Sequence, residues 1–151
     1  MKILLDNLSQ LPHVKIFLQA LLATGLVSQL KNRKDWTVLL PTDQAWRKLG
    51  GKNYRELLRD KRRLVIILAY HLVPGKVYLS DLLHRRYLKT ALGAPITVNT
   101  SEDVEINLDE AALTKADISC SDGVIHQIDS VLIPKVNARI LQLLAQNTSQ
   151  A

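Results

Sequence analysis

Cysteine is almost missing from this chain: Cys120 is the only one among 151 residues, so no internal disulfide can form. A lone cysteine suits a reducing compartment better than an oxidising one. With Asp117 and Asp122 nearby, Cys120 reads as a small core residue, because acidic neighbours disfavour a reactive thiolate. Long hydrophobic runs are lacking too. The best, Leu64 to Ala69, stops at Tyr70-His71, far short of the roughly 20 apolar residues of a membrane-spanning helix. At the amino terminus only Ile3, Leu4 and Leu5 precede Asp6, too few for the roughly 7–15-residue core of a secretory signal. Read from Met1, the chain is expected to be cytoplasmic, or peripheral on a membrane complex, with no direct membrane insertion; a secreted domain is the alternative. Aromatic residues are scarce as well, at 5%.

What is present suits one folded domain. Hydrophobic residues make up 47% and charged residues 23%, enough for a core and too balanced for a disordered tail. One domain is expected over residues 1–137, followed by a short helical piece and frayed tail over 138–151. The net charge of +6 is unevenly laid out. Residues 1–99 carry 17 Lys and Arg against 6 Asp and Glu, whereas residues 100–130 carry only Lys115 against eight acids. That asymmetry implies either two faces of opposite potential, which would orient a partner, or simple solubility.

Helical spacing begins after Pro12, with Val14, Phe17, Leu18, Leu21 and Leu22, and Gly25 is a natural stop. Leu26, Val27 and Leu30 suggest a further short turn. Trp36 to Leu40 reads as a buried strand. Thr42 can then cap a short helix whose first turn holds Asp43, and Gly50-Gly51 ends it. Asn53 and Asp60 can cap two more, the second running through Leu64, Ile67, Leu68 and Leu72 to Pro74-Gly75. Beyond that point the period changes. Strands are expected at Lys76–Tyr78, Tyr87–Ala91, Ile96–Asn99, Val104–Leu108, Ala116–Cys120, Val124–Ile128 and Val131–Ile133, with a helical turn at Leu79–Leu83 and a last helix at Val136–Leu144. Early helices and late strands predict an α+β fold.

Three segments together resemble the fasciclin domain family. They are Thr37-Val38-Leu39-Leu40-Pro41-Thr42-Asp43-Gln44-Ala45-Trp46, then Tyr70-His71-Leu72-Val73-Pro74-Gly75, and finally Asp122-Gly123-Val124-Ile125-His126-Gln127-Ile128-Asp129 followed by Val131-Leu132-Ile133-Pro134. The resemblance implies a wedge-shaped β-sandwich flanked by short helices, with the first and third segments side by side. It implies interaction, commonly cell adhesion, and no catalysis. Trp46 stands where the family usually has Phe, and Gln127 where it has an apolar residue. Among fasciclin-domain proteins without an export signal, the chain is similar to the small subunit of the cyanobacterial inducible carbon dioxide-uptake NAD(P)H dehydrogenase complex. That likeness implies an accessory role beside other subunits, with no catalytic centre and no cofactor here.

The motif residues Thr42, Asp43, Tyr70, His71, Gly123, His126 and Asp129 read first as structural, as caps, turn formers and backbone partners. In adhesive members the Tyr-His region is implicated in receptor binding, which is the rival reading of Tyr70 and His71. His13, His71, His84 and His126 show no metal-ligand spacing, and no phosphate loop or nucleophile elbow exists, so no metal or catalytic site is expected. The acids Glu102, Asp103, Glu105, Asp109 and Glu110 read as a solvated face. Lys52, Arg55, Arg59, Lys61, Arg62 and Arg63 would attract phosphates, but no stacking platform or reading motif accompanies them, so nucleic acid is not the expected partner. Lys61, Arg62 and Arg63 sit in a first helical turn, where each exposed cation opposes the dipole by about 0.3–1 kcal/mol. Arg55, Arg59, Lys61, Arg62 and Arg63 are therefore the candidate surface for an acidic protein partner; the plain alternative is that Asp60 and Glu56 offset the cations and nothing binds.

Overall fold

Helix-forming and strand-forming residues segregate along the chain, and the computed structural model, which describes residues 2–32, 35–101 and 105–134, follows that segregation. The first half holds α1 (Leu4–Gln10), α2 (Lys15–Thr24), α3 (Val27–Asn32), β1 (Trp36–Pro41), α4 (Asp43–Arg47), α5 (Gly51–Arg59) and α6 (Lys61–Ala69). Next come β2 (Leu72–Pro74), α7 (Leu79–Leu82), β3 (Tyr87–Lys89), β4 (Pro95–Thr100), β5 (Ile106–Leu108), β6 (Ala111–Cys120) and β7 (Gly123–Ile128). The fold is α+β.

Several ends fall where local chemistry puts them. α2 stops at Gly25, which adopts the left-handed conformation at φ 77°. Thr42 caps α4 by accepting the Ala45 amide at 3.3 Å, and Asp60 caps α6 by accepting that of Arg63 at 3.3 Å.

Other expectations need correction. α1 was not legible, because Leu4 and Leu8 are its only buried apolar residues and its cap comes from far along the chain. α5 begins at Gly51, so Asn53 lies within the helix and Gly50, at φ 88°, precedes it. α6 ends at Ala69, and Leu72 belongs to β2. Lys76–Tyr78 and Val131–Ile133 are not strands. Side chains take the amides that a ladder would use: Thr37 Oγ1 accepts from Val77 N–H at 2.8 Å, and His71 Nε2 from Leu132 N–H at 2.9 Å. β6 is ten residues long, with register shifts between Leu113 and Lys115 and between Lys115 and Ile118 that break its alternation. The expected piece at Val136–Leu144 and the tail lie outside the described residues.

The seven strands form one sheet in the order β2-β1-β7-β6-β5-β4-β3. β1 pairs antiparallel with β2 and parallel with β7; the remaining neighbours are antiparallel. The sheet rolls until its edges meet, where Ala91 N–H donates to the Leu72 carbonyl at 2.7 Å. All six residues of β1 are buried, because both of its faces are covered. Val38, Leu40 and Trp36 face a core built with α1, α2, α4 and α6, centred on Phe17, Leu21, Trp46, Leu64 and Leu68. Leu39 faces a second core enclosed by the sheet, with Leu88, Ile96, Leu108 and Ile128.

Candidate functional site

The three motif segments become three adjacent strands. The first supplies β1 and the N-terminus of α4, the second the end of α6 and β2, the third β7 and the chain after it. Trp36 lies opposite Gly123, Leu39 opposite His126 and Pro41 opposite Ile128, while Leu39 N–H donates to the His71 carbonyl at 2.9 Å. Gly123 is required by that packing. A Cβ there would lie 2.3 Å from the Trp36 carbonyl oxygen and 2.6 Å from Leu4 Cδ1.

Each polar motif side chain is bonded to backbone close by. His71 is fully buried. Its Nδ1–H donates to the Ile67 carbonyl at 2.7 Å, and Nε2 accepts from Leu132 N–H, which fixes one neutral tautomer. Burial pushes its pKa down to about 4, against the opposing pull of the Ile67 carbonyl. Phe17 meets the ring edge-on, with centroids 5.9 Å apart. His126 holds the other tautomer: Nε2–H donates to Val77 O at 2.7 Å, and Nδ1 accepts from Asp117 N–H at 3.2 Å. Its pKa is lowered too, first by burial. With both ring nitrogens committed, neither histidine has a lone pair to offer a metal. Among the described residues no group of three His, Cys, Asp or Glu could hold one.

Tyr70 donates its hydroxyl to Asp109 Oδ2 at 2.5 Å, with the Pro95 carbonyl at 3.1 Å. Burial, reinforced by Asp109, raises the phenol pKa. Asp109 Oδ1 also accepts from Thr97 N–H at 2.8 Å. Asp109 therefore leaves the expected solvated acidic face and ties β4 to the end of α6. Glu105 and Glu110 are exposed, and Glu102 and Asp103 lie outside the described residues. A cleft of about 720 Å³ opens beside the Tyr70–Asp109 pair, between Pro95, Thr97, Leu132 and Ile133.

The aspartates share a task that sequence reading caught only in part. Asp43 sits in the first turn of α4, as expected, yet its Oδ1 accepts from Ile16 N–H of α2 at 2.9 Å. Asp129 Oδ1 accepts from Ala112 N–H at 2.8 Å and so extends the β6–β7 pairing. Asp122, which was missed, accepts from Leu4 N–H at 2.6 Å and caps α1 from 118 residues away. Asp117 accepts from Leu79 N–H at the start of α7 at 2.8 Å. Thr37 was also missed: fully buried, it donates to the Gly75 carbonyl at 2.7 Å and holds the loop after β2. An Asp before Gly, or a Thr within an apolar strand, is the faint signal that sequence offers for such roles. Cys120 is buried, and burial raises its pKa; the Asn7 amide donates to its sulfur at 3.1 Å.

Asp43, Asp109, Asp117, Asp122 and Asp129 are thus bonded into the fold, whereas the cations of α5 and α6 stay outside. Arg55, Arg59, Lys61, Arg62 and Arg63 are all exposed on α5 and α6. None is ion-paired among the described residues. An open hollow at the helix junction is lined by Arg59, Lys61 and Arg62 together with Glu56 and Asp60. The structure thus separates the sequence-derived candidates into a hydrogen-bonded strand centre and an outward helical corner.

A rolled seven-stranded sheet with helices against one flank, centred on strands from three signature segments, defines a helix-flanked α+β module. The fasciclin domain model matches residues 12–134, and the chain belongs to the fasciclin domain family. It is 33% identical over 114 residues to the uncharacterized protein sll1735 of Synechocystis, covering 76% of this chain and 84% of that protein. It is 34% identical over 117 residues to protein sll1483 of the same organism, covering 76% of this chain and 64% of that one. Human periostin is 32% identical over 136 residues, covering 88% of this chain but only 16% of periostin. Among solved structures, a fasciclin domain pair from the insect cell adhesion molecule Fasciclin I superposes with a TM-score of 0.68 at 18% identity, over 87% of this chain and 49% of that one. That likeness carries the fold. Fasciclin domains are typically non-catalytic adhesion and interaction modules, and no helix among the described residues is long and apolar enough to cross a membrane.

Proposed function

We propose that this domain is a non-catalytic protein-interaction module that docks through α5 and α6 on an acidic surface of a larger assembly. The observation that carries the reading is the division of labour among polar side chains. Thr42, Asp43, Tyr70, His71, His126 and Asp129 are bonded within the fold, whereas Arg55, Arg59, Lys61, Arg62 and Arg63 are exposed and have no ion-pair partner among the described residues. Three of those cations occupy the first turn of α6, against its dipole, with Asp60 and Glu56 the acids beside them. Residues that disfavour their own helix are consistent with an external partner.

The particular assembly we propose is the inducible carbon dioxide-uptake NAD(P)H dehydrogenase complex of cyanobacteria, with this chain as a cytoplasmic or peripheral accessory subunit. The likeness to two Synechocystis proteins supports a cyanobacterial setting. An adhesion role outside the cell is the second reading, favoured by the likeness to periostin. Affinity purification from the native source at low and high salt tests the first. The subunits should co-purify at low salt, weaken at high salt, and be lost with Arg62→Glu and Arg63→Glu while stability is unchanged or raised. Retention of the same partners by that double variant would reject α5–α6 docking.

A further inference from the structure

A second surface has a different chemistry. The five residues from Leu83 to Tyr87, joining α7 to β3, are all exposed. Five large hydrophobic side chains stand out from the described surface: Ile3, Leu22, Leu83, Tyr87 and Ile133. Two of them, Leu83 at 44% and Tyr87 at 61% exposure, bracket this single turn. Between them lie His84, Arg85 and Arg86, and Lys89 is exposed on the same strand as Tyr87. From Leu82 to Ser101 the chain contains three cations and no carboxylate. Among the described acids, Asp81 accepts from Tyr78 N–H, Asp117 from Leu79 N–H, and Asp109 holds Tyr70 and Thr97.

The turn is also held in place. Leu83, His84 and Arg85 amides donate to Leu79, Asp81 and Leu82 carbonyls, and the Arg86 carbonyl accepts from Val98 N–H at 2.8 Å. A fixed turn that presents an aliphatic side chain and a tyrosine around arginines has the composition of an interfacial anchor. Tyrosine favours the headgroup region, and cations are drawn to acidic lipid. The α5–α6 corner differs, because its exposed side chains are charged and include no large apolar residue.

We propose that the Leu83–Tyr87 turn is a docking surface for an anionic lipid bilayer, with Arg85, Arg86 and Lys89 on the headgroups and Leu83 and Tyr87 in the interfacial layer. Contact is superficial, with no helix entering the hydrocarbon.

Sedimentation with vesicles tests it. The chain should co-sediment with mixed phosphatidylglycerol and phosphatidylcholine vesicles at low salt, and not with phosphatidylcholine alone. Each cation lost near the surface lowers partitioning by roughly fivefold, so Arg85→Glu with Arg86→Glu should abolish binding. Leu83→Ser with Tyr87→Ser should reduce it severalfold without removing its salt dependence. All four side chains are exposed, so circular dichroism and the denaturation midpoint should stay unchanged. Arg62→Glu with Arg63→Glu, made in the other basic surface, should keep most binding. The proposal is overturned if wild type ignores anionic vesicles, which would leave the turn to a protein partner. It is equally overturned if the Arg62/Arg63 pair abolishes binding while the Arg85/Arg86 pair does not.

Discussion

Gly123 shows how much one side chain can decide. Its backbone runs against the Trp36 carbonyl and the Leu4 methyl so closely that no Cβ fits, although its own dihedral angles are ordinary. Gly123→Ala must therefore push β7 from β1 or α1 from the sheet. The expected loss is at the upper end of the about 1–3 kcal/mol seen for overpacked sites. A lowered urea midpoint with an unchanged m-value would register it, and an unchanged midpoint would contradict the packing described. Gly93 offers the contrast: nothing lies within 4 Å of its Cβ position, so substitution there meets only the strain of φ 98°. Only the tertiary neighbours separate them.

Among the elements, the starts of α1 and α2 are held by carboxylates from elsewhere in the chain. Thr42 serves α4 locally, but α2 depends on Asp43 and α1 on Asp122. Asp43→Ala should cost about 1–2 kcal/mol, the range of a lost cap. The damage should appear in α2, as faster amide exchange at Ile16 and Phe17, with α4 little changed. If exchange rises in α4 alone, the remote cap is of no consequence.

The same arrangement explains what was legible. Caps within three residues, such as Thr42 and Asp60, are visible in sequence because donor and acceptor are neighbours. Buried strands such as β1 are visible because apolar residues run together. α1, the full length of β6 and the irregular Val131–Ile133 segment were not, since each is decided by partners far along the chain. The candidate site divides similarly. The cationic run at Lys61–Arg63 is plain in the sequence, whereas the partners of His71 and Asp109 emerge only when α6, β4 and the segment after β7 converge.

For the whole molecule, buried neutral histidines make stability a function of pH. His71 titrates near 4 in the folded state and near 6.5 when unfolded, so the unfolded chain binds more protons between those values. Its contribution is fully present above about pH 6.5 and is lost as pH falls towards 4. The shift corresponds to about 3 kcal/mol. His126 is lowered as well and acts in the same direction. On the alkaline side, Tyr70 is raised, so its contribution holds below about pH 10 and fades above it. Denaturation midpoints should therefore form a plateau from near neutrality to about pH 10, with an acid limb that flattens in His71→Gln. A midpoint constant from pH 6.5 to 4.5 would refute the buried neutral state.

The parallel pairing of β1 with β7 has a consequence in time as well as in space. One strand begins at Trp36 and the other at Gly123, and α1 waits for Asp122 in the same way. During synthesis, an emerging chain holds β1 without its β7 neighbour, and with the Leu39 face uncovered, until nearly the whole domain has left the ribosome. High contact order of this kind makes for slow, late folding. The apolar run Trp36–Leu40 is then the segment most in need of shielding while translation continues.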